Sequence, residues 1–110
     1  MMAKDHAAAT QPTAATLNSQ RLRKEAGEWL KARRQAACLS QMDLATGLGL
    51  KYYTFVSQVE NGFGRVPSES MERWAQLVGV EPAVFARTLL AFYDPALHRA
   101  LFEEAAHDGR

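Results

Sequence analysis

From residue 18 onward, apolar residues recur every three to four positions, and no strand-like alternation lasts more than a few residues. Asn18 or Ser19 is a suitable N-cap for the first predicted helix. Gly27 lies inside this helix and costs it about 1 kcal/mol relative to Ala. The apolar stripe of the helix consists of Leu22, Ala26, Trp29, Leu30, Ala36 and Ala37. The spacing of the apolar residues along the chain predicts an all-α fold, namely a bundle of five to six helices with short connections.

Two short helices are predicted in the middle of the chain. Ser40 and Asp43 form a short-armed capping box that opens the second helix, and Gly47 and Gly49 end it. Gly49 is predicted to supply a positive φ in the turn that follows. The third helix covers residues 52–60. Its apolar side, predicted to face the core, consists of Tyr52, Phe55, Val56 and Val59. Its opposite side, predicted to face outward, consists of Tyr53, Thr54, Ser57 and Gln58.

Turn and cap residues divide the C-terminal half into three more helices. Ser68 is the predicted cap of the fourth helix, and Gly79 ends it in a left-handed conformation. Pro82 stands at the first position of the fifth helix, and Asp94-Pro95 begins the sixth. The apolar positions of the last two helices are Phe85, Leu89, Leu90, Phe92, Tyr93, Leu97, Leu101 and Phe102. These are more apolar side chains than the core of one small domain needs.

Composition divides the chain into four segments. Residues 1–18 are mostly Ala, Thr and Gln with few large apolar side chains, which predicts a disordered N-terminal tail. Residues 19–80 form the predicted central domain, residues 81–106 a C-terminal helical extension, and residues 107–110 a frayed tail. With 110 residues, 47 % hydrophobic and 23 % charged, the chain is typical of one globular domain.

Charge and cysteine content narrow the possible function classes. Residues 20–67 carry eight basic and four acidic side chains, whereas residues 68–110 carry four basic and seven acidic ones. The net charge of +1 therefore hides a basic half that favours an anionic partner. The single Cys38 and three scattered histidines give neither a disulfide nor a metal-ligand cluster, so we expect no metal and no cofactor. No apolar run approaches the roughly 20 residues of a membrane span, and no secretory signal is evident, so we expect a cytoplasmic protein.

The most informative segment reads LSQMDLATGLGLKYYTFVSQVENG, from Leu39 to Gly62. When two short helices are joined by a glycine turn, the second helix can project from the body of the domain. Insertion into the major groove requires such a projecting helix. L-S-Q-x-x-L-A followed by E-N-G resembles the helix-turn-helix family of phage Cro and CI repressors, the XRE type, over about residues 29–80. The resemblance implies a lambda repressor-like fold for the central domain and sequence-specific binding of double-stranded DNA, in bacteria or phage.

The resemblance also implies roles for individual side chains. Base contacts are expected from the outward positions of the third helix, because Gln suits adenine and a Thr methyl group suits the thymine methyl. These positions are Tyr53, Thr54, Gln58 and, as a weaker candidate, Ser57. Tyr53 is equally compatible with a phosphate contact or with simple exposure. Phosphate contacts are expected from Gln41, Lys51, Asn61 and Arg65.

Two further positions concern the stability of the central domain. Arg34 and Glu60 match a structural ion pair that the family places under the recognition helix. Cys38 stands where the family favours Gly, so either it adopts a strained positive φ, at about 1 kcal/mol, or the first helix ends differently. As a lone free cysteine, Cys38 is also expected to be a small buried side chain.

The surplus apolar residues of the extension predict a two-fold interface made of Phe85, Leu89, Phe92, Leu97, Leu101 and Phe102. A homodimer would place two recognition helices about 34 Å apart on an inverted repeat. The leading hypothesis is therefore a DNA-binding transcriptional regulator that acts as a homodimer. The alternative is a protein-interaction module, such as an antitoxin or adaptor, whose C-terminal helices hold a toxin or a component of the transcription machinery. No nucleophile–base arrangement is evident, so we do not expect an enzyme.

Overall fold

The computed structural model describes residues 13–104, which are mostly helical and contain no strand within that range. The predicted tail residues 1–12 and the final residues 105–110 lie outside this range. The helices in chain order are α1 (Ala14–Ala36), α2 (Gln41–Gly47), α3 (Thr54–Glu60), α4 (Met71–Val78), α5 (Pro82–Tyr93) and α6 (Pro95–His98). A 3-10 turn (Ser68–Ser70) precedes α4, and a π-helical segment (Arg99–Glu104) follows α6. The predicted all-α class is confirmed.

One core joins the first five helices. α1 packs against α3 and α5, and α4 packs against α5. Two aromatic contacts connect helices within this core. The ring centroids of Trp29 in α1 and Phe85 in α5 lie 5.6 Å apart, and those of Phe55 in α3 and Trp74 in α4 lie 6.4 Å apart. The fully or nearly fully buried apolar side chains are Ala26, Leu30, Leu44, Ala45, Val56, Val59, Val66, Trp74, Ala75, Val78, Phe85 and Leu89. Within residues 13–104, no helix has the length and apolar character needed to cross a membrane.

The N-terminal boundary of α1 differs from the sequence prediction. The helix begins at Ala14, because the Thr13 hydroxyl accepts a hydrogen bond from the backbone N–H of Thr16. Residues 14–18, predicted to belong to the disordered tail, are therefore helical, and neither Asn18 nor Ser19 is the cap. The first two turns of α1 are exposed and lie outside the core. A local cap extends the helix where no apolar stripe could indicate it.

The predicted dimer interface is wrong at two of its six positions. Phe85 and Leu89 are completely buried inside the monomer, because α5 crosses both α1 and α4 and presents these side chains to the core. Phe92 is half-buried and packs against the same core. Leu97, Leu101 and Phe102 are the predicted interface residues that stay exposed.

The cap predictions for the later helices are mostly confirmed. Gly79 ends α4 with a left-handed φ of 74°, and Pro82 opens α5. The Asp94 carboxylate accepts from the N–H of Leu97 at the start of α6. Ser68 is not the cap of α4, because it begins the separate 3-10 turn, and α4 follows that turn without a side-chain cap.

Candidate nucleic-acid interface

The α2–turn–α3 unit is built from local hydrogen bonds. The Ser40 hydroxyl accepts from the Asp43 N–H, and the Asp43 carboxylate accepts from the Ser40 N–H, each at 2.9 Å, so the predicted capping box is confirmed. The hydrogen bond from the Ser40 N–H holds the pKa of Asp43 below its usual value. In the turn, Gly49 has the predicted positive φ, at 78°, and the Leu50 N–H donates to the Ala45 carbonyl. These contacts fix the direction in which the chain approaches α3.

Helix α3 begins at Thr54, two residues later than predicted. Val56, Val59 and Glu60 are its buried side chains, which fixes which side of the helix faces the body. Tyr52 was predicted to lie in the core, but it is 67 % exposed. The reason is that residues 51–53 are not helical, so Tyr52 does not follow the helical phase of Val56 and Val59.

The opposite side of α3 carries most of the predicted base contacts. Thr54 and Gln58 are exposed on the helix, and Tyr53 is exposed at its N-cap. Ser57 is half-buried, and its hydroxyl is 3.4 Å from the side-chain nitrogen of Asn61, which donates to it. The flank available to a partner therefore consists of Tyr53, Thr54 and Gln58, with Ser57 less accessible.

Three of the predicted phosphate contacts are exposed around α3. Lys51 precedes the helix, Asn61 is its C-cap, and Arg65 lies in the loop that follows. The Arg65 guanidinium lies 4.4 Å from the centre of the Tyr93 ring. Gln41 is more restricted: it is half-buried, and its side-chain nitrogen donates to Glu60 Oε1 at 3.0 Å, which leaves one amide hydrogen for another acceptor.

A buried ion pair connects α1 to α3. Arg34 Nε donates to Glu60 Oε2 at 2.6 Å, and Arg34 Nη2 donates to Glu60 Oε1 at 3.0 Å. Arg34 Nη1 also donates to the Leu39 carbonyl at 2.8 Å. Together with the bond from Gln41, these contacts bind α1, the residues before α2, and the C-terminal end of α3 in one network. The network sets the position of α3 relative to the body.

The closest backbone approach to α3 occurs at Gly27. A Cβ atom at this position would lie 2.7 Å from the Glu60 carbonyl carbon and 2.8 Å from the Val59 carbonyl oxygen, and nearer still to the Glu60 carbonyl oxygen. A similar contact follows α3, where a Cβ at Gly62 would meet the Lys24 backbone at 2.9 Å. Gly27 therefore lets α1 touch the last turn of α3.

Cys38 settles how α1 ends. Of the two predicted alternatives, a positive φ at Cys38 or a different helix end, the structure has the first, with φ 61°. The following Leu39 N–H donates back to the Arg34 carbonyl at 3.2 Å, which closes the helix around this residue. The prediction that Cys38 is buried is wrong, because the left-handed residue points its side chain away from the bundle and the thiol is exposed.

Sequence reasoning missed the role of Tyr93. Its hydroxyl accepts from the Val66 N–H at 3.1 Å and so fastens the loop after α3 to α5. Burial raises the pKa of Tyr93, against the lowering effects of the Val66 hydrogen bond and of the charges of Arg65 and Arg23. Nothing in the spacing of the apolar residues distinguishes Tyr93 from its neighbours. The sequence pattern also does not predict that Phe63, in the same loop, is 81 % exposed.

Replacing Tyr93 with Phe should lower the free energy of unfolding by about 1 kcal/mol near neutral pH, because the Val66 N–H loses its partner. The wild type should also lose stability as the pH rises above about 10, because the folded state holds the Tyr93 proton after the unfolded chain has released it. The variant should lack this part of the pH dependence. Urea denaturation at several pH values from 7 upward measures both effects, and parallel curves for the two proteins would contradict the assigned role.

The chain matches no protein-family model and no curated protein.

Proposed function

We propose that the protein is a sequence-specific DNA-binding transcriptional regulator that inserts α3 into the major groove. The observation that supports this proposal most is the two-sided character of α3. Its inner side is anchored by Val56, Val59 and the Glu60 ion pair, while Thr54 and Gln58 on its outer side are exposed. A helix used for reading bases needs both properties, because its position must be fixed while its polar side chains stay accessible.

The side chains on the outer side of α3 suit base edges. The Gln58 amide can donate to and accept from the N7 and N6 groups of adenine, and Thr54 carries a methyl group that can contact the methyl of thymine. Tyr53 stands at the N-cap of the helix, where it can reach either a base or a phosphate. These three residues would carry the sequence preference.

Cationic and polar groups surround this helix. Lys51 and Arg65 are exposed before and after α3, and Asn61 caps its C-terminus. Such groups would contact the phosphates on either side of the groove, orient the protein and make binding depend steeply on salt. The excess of basic residues in segment 20–67 is consistent with this role.

We propose that the C-terminal segment forms a homodimer. Leu97 and Leu101 are spaced four residues apart and are 45 % and 51 % exposed, and Phe102 lies beside them in the chain. Adjacent exposed apolar side chains on a small protein are typical of an interface. A two-fold axis through this segment would present two copies of α3 to an inverted repeat.

Replacing Gln58 with Ala should weaken binding to the preferred DNA by about 1–3 kcal/mol and relax selectivity at one base position. Binding to random DNA should change little, because phosphate contacts are retained. Gln76→Ala is the matched control, since Gln76 is an exposed glutamine on α4. Fluorescence anisotropy with specific and random duplexes measures both affinities. An equal loss on the two duplexes, or an equal effect of the control, would contradict the base contact.

The exposed Leu97 and Leu101 also support a second candidate function, a protein-interaction module such as an antitoxin or adaptor. Leu101→Glu separates the two candidates, with Leu17→Glu as control because Leu17 is a similarly exposed leucine on α1. If the segment forms the homodimer, Leu101→Glu converts a dimer to a monomer in sedimentation equilibrium, and the control stays dimeric. If the wild type is already a monomer at tens of micromolar, with and without DNA, the result favours binding of another protein at Leu97 and Leu101.

A further inference from the structure

A cavity of about 680 Å³ lies between the loop after α3, α4, α5 and the C-terminal segment. Most of its wall is apolar and includes Ala86 and Leu90 of α5 and Phe102 of the π-helical segment. Its volume lies in the range of about 300–1,000 Å³ that is usual for small-molecule sites. The apolar wall can therefore accept a hydrocarbon or aromatic group of moderate size.

Two arginines line the same cavity. Arg65 stacks on the Tyr93 ring at 4.4 Å, and Arg87 stacks on the Phe102 ring at 4.7 Å. Stacking against a ring holds a guanidinium in place while leaving its N–H groups free to donate. Neither arginine forms an ion pair with a carboxylate of residues 13–103.

The charge of the cavity wall is positive overall. Glu72 also lines the cavity, and its carboxylate offsets one of the two arginines. One positive charge is left, together with several N–H donors beside an apolar wall. A ligand that suits this arrangement carries one anionic group and an uncharged, apolar body.

We propose that this cavity binds an amphipathic monocarboxylate, with its carboxylate on Arg87 and Arg65 and its apolar body against Ala86, Leu90 and Phe102. A carboxylate accepts two parallel N–H groups from one guanidinium, which gives the anion a defined orientation. The site lies apart from the outer side of α3, but it shares Arg65 with the proposed phosphate contacts and Phe102 with the proposed dimer interface.

Isothermal titration calorimetry with octanoate, 1-octanol and acetate tests the proposal on the full chain. We expect octanoate to bind with one site per chain and a dissociation constant below about 1 mM. The affinity of 1-octanol, with the same chain and no charge, should be lower by about tenfold, because the charge-assisted hydrogen bonds are missing. Acetate, which lacks the apolar body, should give no saturable binding.

Arg87→Gln provides the variant, because Arg87 lies outside the proposed DNA interface whereas Arg65 belongs to both surfaces. The substitution should weaken octanoate binding by about tenfold and leave 1-octanol unchanged. Arg99→Gln removes an exposed arginine that does not line the cavity and should leave both unchanged. Equal affinity for octanoate and 1-octanol, equal effects of the two variants, or no saturable octanoate binding at millimolar concentrations would each overturn the proposal. None of these results bears on DNA binding, which is measured without carboxylate.

Discussion

Replacing Arg34 with Ala should lower the free energy of unfolding by about 3–5 kcal/mol, the cost of leaving one member of a buried ion pair without its partner. The carboxylate of Glu60 is buried and takes two of its hydrogen bonds from Arg34. Without the guanidinium, that carboxylate keeps the bond from Gln41 and little else within the described residues. Chemical denaturation monitored by circular dichroism measures the loss.

Two control variants distinguish the effect of breaking the buried ion pair on stability from the effect of removing any arginine. Arg21→Ala removes a salt bridge with Glu25 in which both side chains are well exposed, and should cost no more than about 1 kcal/mol. The double variant Arg34→Met, Glu60→Leu removes both charges and should recover much of the stability lost in Arg34→Ala. If Arg34→Ala costs no more than Arg21→Ala, the network does not hold α3 in place.

Replacing Gly27 with Ala should cost about 3 kcal/mol, even though Ala is normally the better helix former by about 1 kcal/mol. The new methyl group would meet the carbonyl groups of Val59 and Glu60, which are backbone atoms of α3 and cannot rotate away. Either α1 and α3 separate or the last turn of α3 distorts. Both outcomes displace the outer side of α3, so DNA affinity should fall together with stability.

Gly49→Ala is the comparison for this substitution. Gly49 has a positive φ of 78° but nothing within 4 Å of the added methyl group, so only backbone strain of about 1–2 kcal/mol is expected. Thermal unfolding of the two variants, each against the wild type, gives the comparison. If Gly27→Ala is no more destabilising than Gly49→Ala, the close contact between the helices has little energetic weight.

Local signals in the sequence predicted most of the helix boundaries. The Ser40–Asp43 capping box, the left-handed Gly49 and Gly79, and Pro82 at the start of α5 each depend on a few neighbouring residues, and the structure has all of them. Thr13 shows the limit of this approach. A cap outside any apolar stripe has no packing partner to mark it, so the predicted start of α1 was late.

Long-range packing was harder to predict. Apolar spacing places Phe85 and Leu89 on one side of α5, but it cannot tell whether the core or a second subunit covers that side. Gly27 illustrates the same difficulty. The sequence shows that Gly27 destabilises its helix. It does not show why a glycine is needed there, because the contact is with Glu60, 33 positions further along the chain. A glycine inside a predicted helix, where it costs stability relative to Ala, is a sequence signal that is consistent with such a contact.

The outward-facing residues of α3 were predicted correctly because the helical period determines them. Once Val56 and Val59 are assigned to the core, the positions on the opposite side of the helix follow. Thr54 and Gln58 then face outward, as they do in the structure. Tyr52 was misplaced because the helical period was extended into a non-helical turn. The bond from Gln41 to Glu60 joins two elements and was not predictable from either segment alone.

The proposed function requires that the outer side of α3 reads DNA sequence. Selection of bound duplexes from a random DNA pool, using the full chain, tests this claim most directly. We predict enrichment of an inverted repeat whose half-sites are about one helical turn apart, and loss of preference at one position of each half-site in Gln58→Ala. Recovery of no preferred sequence from a folded wild-type protein would contradict the claim.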